Sequence, residues 1–352
     1  MTEEKDTQEG RVPTLPIGPD FPWLAPLAGF SDLPFRLLCR EQGAAVACTE
    51  MVSAKGLIYG LRRKSGQKSM QPNGTEDLLV TTPEDAPLVV QLFGEDAEFI
   101  GAAVEELRQR GFIYFDLNMG CSVPKVTKTG AGAALLRDSD RAVAVASALL
   151  KKAGPGRAGC KIRLGWDSAA PVYLELTKRL ADAGAAWVTL HPRYARQGFS
   201  GRVDTAALEK LAKAVDIPIL ASGDLFTAED GLRCLEAGAD GVMFARGAMN
   251  NPAIFKRYLA LRQGGDFPGV LAARDVLAMI LRHAELARAL TPGRPGKKGY
   301  APALLKMRTV VPRYVRHLPG VKRLRQALAH CEDWDDLRAI LRGYFGRDYF
   351  KE

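Results

Sequence analysis

The chain has 352 residues, 47% hydrophobic and 25% charged, with a net charge of +9. That balance belongs to an ordinary globular protein with room for one large domain plus a smaller one. No apolar run approaches the roughly 18 residues of a membrane span, and the opening Met1-Thr2-Glu3-Glu4-Lys5-Asp6 shows neither a signal-peptide nor a transit pattern.

After a polar tail over residues 1–20, eight short apolar runs recur along the chain, each ending in Gly, Pro or a polar residue. They are Pro22–Leu27, Ala44–Thr49, Leu88–Phe93, Phe112–Leu117, Gly159–Leu164, Trp187–His191, Pro218–Ala221 and Gly241–Ala245. Helical periodicity fills most of the intervals, at Leu33–Glu41, Ala97–Arg110, Arg141–Lys152, Val172–Ala183, Thr205–Ala214 and Ala228–Glu236. Ser31-Asp32, Asp138-Ser139 and Thr227 are helix-start signals. Strand–helix alternation means parallel strands with right-handed crossovers. Eight such units over residues 21–262 predict an α/β fold, a closed (β/α)8 barrel of the TIM type. The rival, a doubly wound open sheet, would usually carry a glycine-rich first turn, and no G-x-G-x-x-G follows the first run.

The strand C-termini of a barrel open onto one face, where a site is assembled. In chain order these ends supply Pro26-Leu27-Ala28, Thr49-Glu50, Gln91, Asn118 with Cys121, Lys161 with Arg163, His191, Ser222-Gly223-Asp224 and Ala245-Arg246-Gly247. Polar residues inside apolar runs need partners. Gln91 suits either a flat heterocycle or a hydrogen bond between barrel layers. Lys161 suits a Schiff base, an anion, or an ion pair with Glu50 or Asp116. The glycine-rich ends of the last two strands, one bearing Arg246, predict a phosphate-carrying ligand. Cys121 follows a glycine at a strand end beside polar groups, a setting unlike that of an inert core thiol. A nucleophile and a general acid are both compatible with it. The six cysteines and four histidines are dispersed, which predicts free thiols in a reducing cytoplasm and no structural metal.

From about Leu271 the strand pattern gives way to helical spacing, predicting a C-terminal helical bundle over residues 271–352. From Leu286 to Cys331 there is no Asp or Glu but there are eleven Lys or Arg, so this segment carries +11 of a chain total of +9 and leaves −2 for the rest. Such a block attracts polyanions, and Tyr300 and Tyr314 within it offer stacking faces. A solvated face that keeps the protein soluble is the plainer alternative. Lys306, Arg313 and Arg316 are the candidate contacts for a nucleic acid.

The run Asp116-Leu117-Asn118-Met119-Gly120-Cys121, followed by Pro124-Lys125 and Gly130-Ala131-Gly132-Ala133-Ala134-Leu135-Leu136, resembles the signature of tRNA-dihydrouridine synthases. Ala25-Pro26-Leu27-Ala28-Gly29, Val90-Gln91-Leu92-Phe93-Gly94, Lys161-Ile162-Arg163-Leu164-Gly165-Trp166 and Gly241 to Gly247 extend the likeness, which is nearest to the bacterial B-type branch. The resemblance implies an FMN enzyme, recharged by NADPH, that reduces the C5–C6 double bond of selected uridines in tRNA. It implies Cys121 as the general acid and Asn118 beside the uracil. Pro26, Leu27, Ala28, Gln91, Lys161 and His191 would lie around the flavin, and Ser222, Gly223, Asp224, Ala245 and Arg246 at its phosphate end. The basic helices would clamp the tRNA while the base turns out of its stack, with no membrane and no obligate protein partner involved. Ser122, Pro192, Tyr194, Ser222 and Ala245 depart from the usual family pattern. A flavin reductase of small pyrimidines and a catalytically silent tRNA-binding barrel are the rival readings.

Overall fold

Nine parallel strands form one sheet: β1 (Trp23–Leu24), β2 (Val46–Cys48), β3 (Val52–Ser53), β4 (Leu88–Phe93), β5 (Tyr114–Met119), β6 (Ala158–Arg163), β7 (Val188–His191), β8 (Ile219–Ser222) and β9 (Gly241–Phe244). The computed structural model describes residues 14–64, 74–291 and 302–346. Sheet order runs β2-β1-β9-β8-β7-β6-β5-β4-β3, and a further β2–β4 pairing closes it. Nine strands thus occupy eight barrel positions, because β2 and β3 are one strand interrupted. Ala47 and Cys48 pair with Leu88 and Val89, whereas Val52 and Ser53 pair with Leu92 and Phe93. Three residues, Thr49 to Met51, therefore oppose two, Val90 and Gln91, which makes a β-bulge. The Thr49 hydroxyl repairs the ladder there, accepting the Gln91 backbone N–H at 3.1 Å.

Alternation along each strand divides the interior in two. Outward residues such as Val90, Leu92, Phe115, Leu117, Ile162, Leu190 and Phe244 belong to the large core shared with the surrounding helices. Inward residues Trp23, Val46, Val89, Tyr114, Trp187, Leu220 and Met243 form a second, smaller apolar cluster inside the barrel. Its centre is an edge-to-face contact of Trp23 and Trp187, with centroids 5.4 Å apart. Gly159 makes room for it, since a Cβ there would lie 2.3 Å from Trp187 Cε2. Leu15 joins this cluster from below, and Trp23 Nε1 donates to the Pro16 carbonyl at 3.0 Å, so residues 14–20 close the base of the barrel.

The expected helices form at Leu33–Glu41, Ala97–Gln109, Ser139–Ala153, Tyr173–Asp182, Thr205–Ala212 and Ala228–Glu236. Asp32, Asp96, Asp138 and Asp204 cap four of them with side-chain acceptors, and Thr227 with Asp230 completes a capping box. A helix over Ala54–Lys64 goes beyond the sequence pattern; Gly56 and Gly60 weaken its local signal, and packing on the helix after β4 supplies what propensity lacks. Beyond the barrel, helices Ala273–Leu290, Pro302–Tyr314, Val321–Ala329 and Trp334–Phe345 pack on one another. Val276, Ile280, Leu304, Met307, Val311, Leu324 and Leu341 belong to the same large core as the outer barrel residues. The Arg282 guanidinium meets Glu41 at 2.7 Å, and Lys306 pairs with Asp32, fastening these helices to the one at Leu33–Glu41.

Candidate active site

The strand C-termini surround a cleft of about 250 Å3. Its wall includes Pro26, Leu27, Ala28, Gln91, Asn118, Cys121, Lys161, Arg163, His191, Ser222, Gly223, Asp224, Ala245 and Arg246, so most of the residues singled out at the strand ends come together, while Thr49, Glu50 and Gly247 do not line it. Met51, Phe199, Leu225 and Phe226 also line it. A larger hollow of about 670 Å3 lies at the opposite end of the barrel, where Thr14, Thr82, Leu88 and Phe112 to Tyr114 line it without one charged side chain. Its walls offer no group for chemistry, and the cleft does.

Cys121 is the one cysteine of six that is not buried. Its loop is held from every side. The Asn118 carboxamide oxygen accepts the N–H groups of Gly120 at 3.2 Å and Cys121 at 2.9 Å. Arg163 Nε donates to the Gly120 carbonyl at 2.7 Å, and the Ala133 N–H donates to the Cys121 carbonyl at 2.9 Å. Gly132 allows that last contact, for its φ is +62° and a Cβ would lie 2.7 Å from the Cys121 oxygen. The glycine-rich stretch after the cysteine is thus a buttress for the thiol's backbone.

Below the thiol lies a polar layer set on the apolar one. Gln91 and Asp116 are neighbours in the β4–β5 register, and Asn118 and Lys161 in the β5–β6 register. The Asp116 carboxyl is pushed up to about 7, chiefly by burial, against the opposing pull of the Gln91 hydrogen bond and the Lys161 charge. Lys161 is pulled down to about 8 by burial and by Arg163. It forms no ion pair or hydrogen bond with another described residue, so the alternative of a structural pair with Glu50 or Asp116 is not what the structure holds. Glu50 instead accepts the Gly29 N–H at 2.6 Å.

The far rim is cationic. Arg193 Nη1 donates to Asp224 at 2.7 Å, its Nη2 reaches the other carboxylate oxygen, and Arg246 Nη2 also donates to Asp224 at 2.7 Å. Arg246 lies between two exposed rings, 4.6 Å from the centroid of Phe199 and 4.8 Å from that of Phe226. Asp224 therefore orients Arg246 at the cleft, and it does so from a left-handed backbone with a φ of 53°. Burial and the charges of Lys161, Arg163, Arg193 and Arg246 hold His191 far below its ordinary pKa, so it is neutral. Gly223 passes directly over it, where a Cβ would be 2.3 Å from the imidazole Cδ2. Arg193 and Phe199 do not stand out in the sequence; an arginine two residues past the strand-end His191 is the available signal.

Lys161, Arg163 and Arg246 line the cleft with one carboxylate, Asp224, and Lys161 has no ion-pair or hydrogen-bond partner among the described residues, which leaves an excess of positive charge facing it. Pro26, Leu27 and Ala28, at the end of β1 beside β9, add an apolar stretch to the same wall. A flat heterocycle carrying a phosphate fits this donor set, with Arg246 Nε and Nη1 still available to the phosphate. Among the described residues no three His, Cys, Asp or Glu side chains come together to hold a metal ion.

Lys306, Arg313 and Arg316 do not line the cleft. Lys306 faces Asp32, and Arg313 stacks on Phe30 with its guanidinium carbon 4.7 Å from the ring centroid, both at the foot of the Pro26–Phe30 loop. Arg316 is exposed, as are Lys322, Arg323 and Arg325. Arg294, Lys297, Lys298 and Tyr300 of the basic block lie outside the described residues. No described helix is long and apolar enough to cross a membrane.

Residues 23–345 match the family described as dihydrouridine synthase (Dus). A probable tRNA-dihydrouridine synthase 1 of Synechocystis sp. is 33% identical over 309 residues, covering 86% of this chain and 80% of that one. A tRNA-dihydrouridine synthase B of Pseudomonas putida is 30% identical over 323 residues, covering 92% and 90%. Among solved structures, morphinone reductase overlays 73% of this chain and 89% of that one at 14% identity, with a TM-score of 0.49.

Proposed function

The chain belongs to the dihydrouridine synthase family, and from that premise we propose that it reduces the C5–C6 double bond of selected uridines in tRNA, with Cys121 as the general acid. The observation that carries this reading is the single accessible thiol, fixed by its loop at a cleft with an excess of positive charge. Pro26, Leu27 and Ala28 would form the apolar wall for a bound FMN, with Gln91, Lys161 and neutral His191 at its ring edge. The backbone of Ser222, Gly223 and Ala245, with the Arg246 guanidinium that Asp224 orients, would receive its phosphate. Bound there and recharged by NADPH, FMN would supply hydride to one carbon of the double bond.

The residues of the chain supply the rest. Cys121 gives its proton to the other carbon, which completes the addition of one hydride and one proton across the bond. The thiolate left behind shares the cleft wall with the Lys161 and Arg163 side chains. The target base would rest against Asn118 and Cys121 after leaving the tRNA stack. The helices beyond Leu271 would form the tRNA-binding unit, in the cytoplasm where tRNA matures, with exposed Arg316, Lys322, Arg323 and Arg325 meeting phosphates.

Mapping dihydrouridine in tRNA from cells with and without this protein tests the reading. The expected result is loss of the modification at defined uridines. Identical maps from the two strains would refute it.

A further inference from the structure

Three polar side chains stand in a row between the barrel interior and the Cys121 loop. The Gly120 and Cys121 N–H groups donate to Asn118 Oδ1 at 3.2 and 2.9 Å. A peptide N–H can only donate, so the oxygen end of this carboxamide must face the loop and its nitrogen end must face inward. Asn118 Nδ2 accordingly donates to Gln91 Oε1 at 2.8 Å and to Met51 Sδ at 2.9 Å. That contact fixes the Gln91 amide in turn, and its Nε2 donates to Asp116 Oδ2 at 2.7 Å. The last group in the row has to be an acceptor on the side facing Gln91. Asp116 supplies it, being 2% exposed and absent from the cleft wall.

We infer that Asp116 is a positioning residue for Cys121, the terminus of a one-way hydrogen-bond row that fixes Gln91, then Asn118, then the backbone from which the thiol projects. The row accounts for inward polar residues at Gln91, Asp116 and Asn118, on strands whose outward residues are all apolar. Neither amide can turn over without leaving a buried donor facing a donor, which costs far more than the bond itself contributes. Displacing a reacting group by about an ångström costs on the order of a hundredfold in rate, so the row matters to function as well as to folding. This inference rests on Cys121 being the reacting group of the site.

A polarity swap tests it. Measured at about pH 9, above the Asp116 value of about 7 so that neither carboxyl carries a donor proton, Asn118→Asp keeps an acceptor for the loop but sets a carboxylate oxygen against Gln91 Oε1. Gln91 then has to turn, and its oxygen meets the Asp116 carboxylate. Adding Asp116→Asn to Asn118→Asp satisfies every group again with the row running the other way. Because the other five cysteines are buried, iodoacetamide reports on Cys121 alone in the isolated protein. The expected outcome is a Cys121 alkylation rate on the order of tenfold away from wild type in N118D, with a lower melting temperature. In the double variant both should return to within about twofold of wild type. Wild-type rates in N118D, or a double variant no better than N118D, would overturn the inference. If N118D does not fold, a folded double variant supports the row and an unfolded one refutes it. A wild-type protein that makes no dihydrouridine would instead sink the reading of function, leaving these thiol rates unaffected.

Discussion

Lys161 is a charged group inside a barrel with no direct ion pair or hydrogen bond among the described residues, and such a group is costly to the empty fold. Exchanging it for methionine should raise the melting temperature of the flavin-free protein and lower FMN retention, read from absorbance after gel filtration. A fall in both would show that Lys161 serves the fold instead. Asp116 gives a prediction in pH. Its carboxyl titrates near 7 when folded against an ordinary value of 3.8. Between those values only the unfolded chain is ionised, so stability falls as pH rises from about 4 to about 7 and is level above. The change at this site is on the order of 4 kcal/mol. Urea midpoints across that range should slope downward in the wild type and flatten in D116N; parallel slopes would refute the assignment. The sequence made Cys121, Lys161 and Arg246 legible, because each interrupts an apolar run at a strand end. It did not reveal that Asp224 works through Arg193 and Arg246, since a carboxylate's partners depend on which loops meet across the barrel.

The strands and most helices follow from periodicity and caps, and so their limits agree with the pattern to within a few residues. The interruption of the second strand does not follow from pattern. Its cause is a register shift between residues 48–52 and 89–92, and pairing between distant segments leaves no mark in local composition. The helix after it is hidden by two glycines, its support likewise coming from distant packing. The Gly130–Leu136 element shows the converse, a motif visible in sequence whose purpose only contact explains. Gly132→Ala places a Cβ against the Cys121 carbonyl and Val126 Cγ1, 2.7 and 2.8 Å away, at a φ that alanine disfavours. The expected cost is about 1 kcal/mol or more, with slower dihydrouridine formation as the loop shifts. A G132A protein with wild-type stability and rate would show that the buttress is dispensable.

At the scale of the molecule, a barrel of low charge density and a strongly basic set of helices share one apolar core. The helices are bolted to the barrel beside the Pro26–Phe30 loop by Lys306 with Asp32 and by Arg313 over Phe30. The composition of the C-terminal segment exposed its charge but could not tell the cations that face solvent from those spent on this junction. Arg316 and Arg323 are of the first kind. Reversing both charges should weaken tRNA binding and reduce the slope of log affinity against log salt by roughly 0.7–0.9 for each phosphate left without its cation. Unchanged affinity and slope would remove these helices from the tRNA path.

The most direct measurement is the conversion of unmodified tRNA by purified wild-type protein and its Cys121→Ala variant, each loaded with FMN and supplied with NADPH. The expected result is dihydrouridine from the wild type and a near-complete loss in C121A, although C121A keeps its flavin absorbance. Equal product from both proteins, or none from the flavin-loaded wild type, would contradict the account.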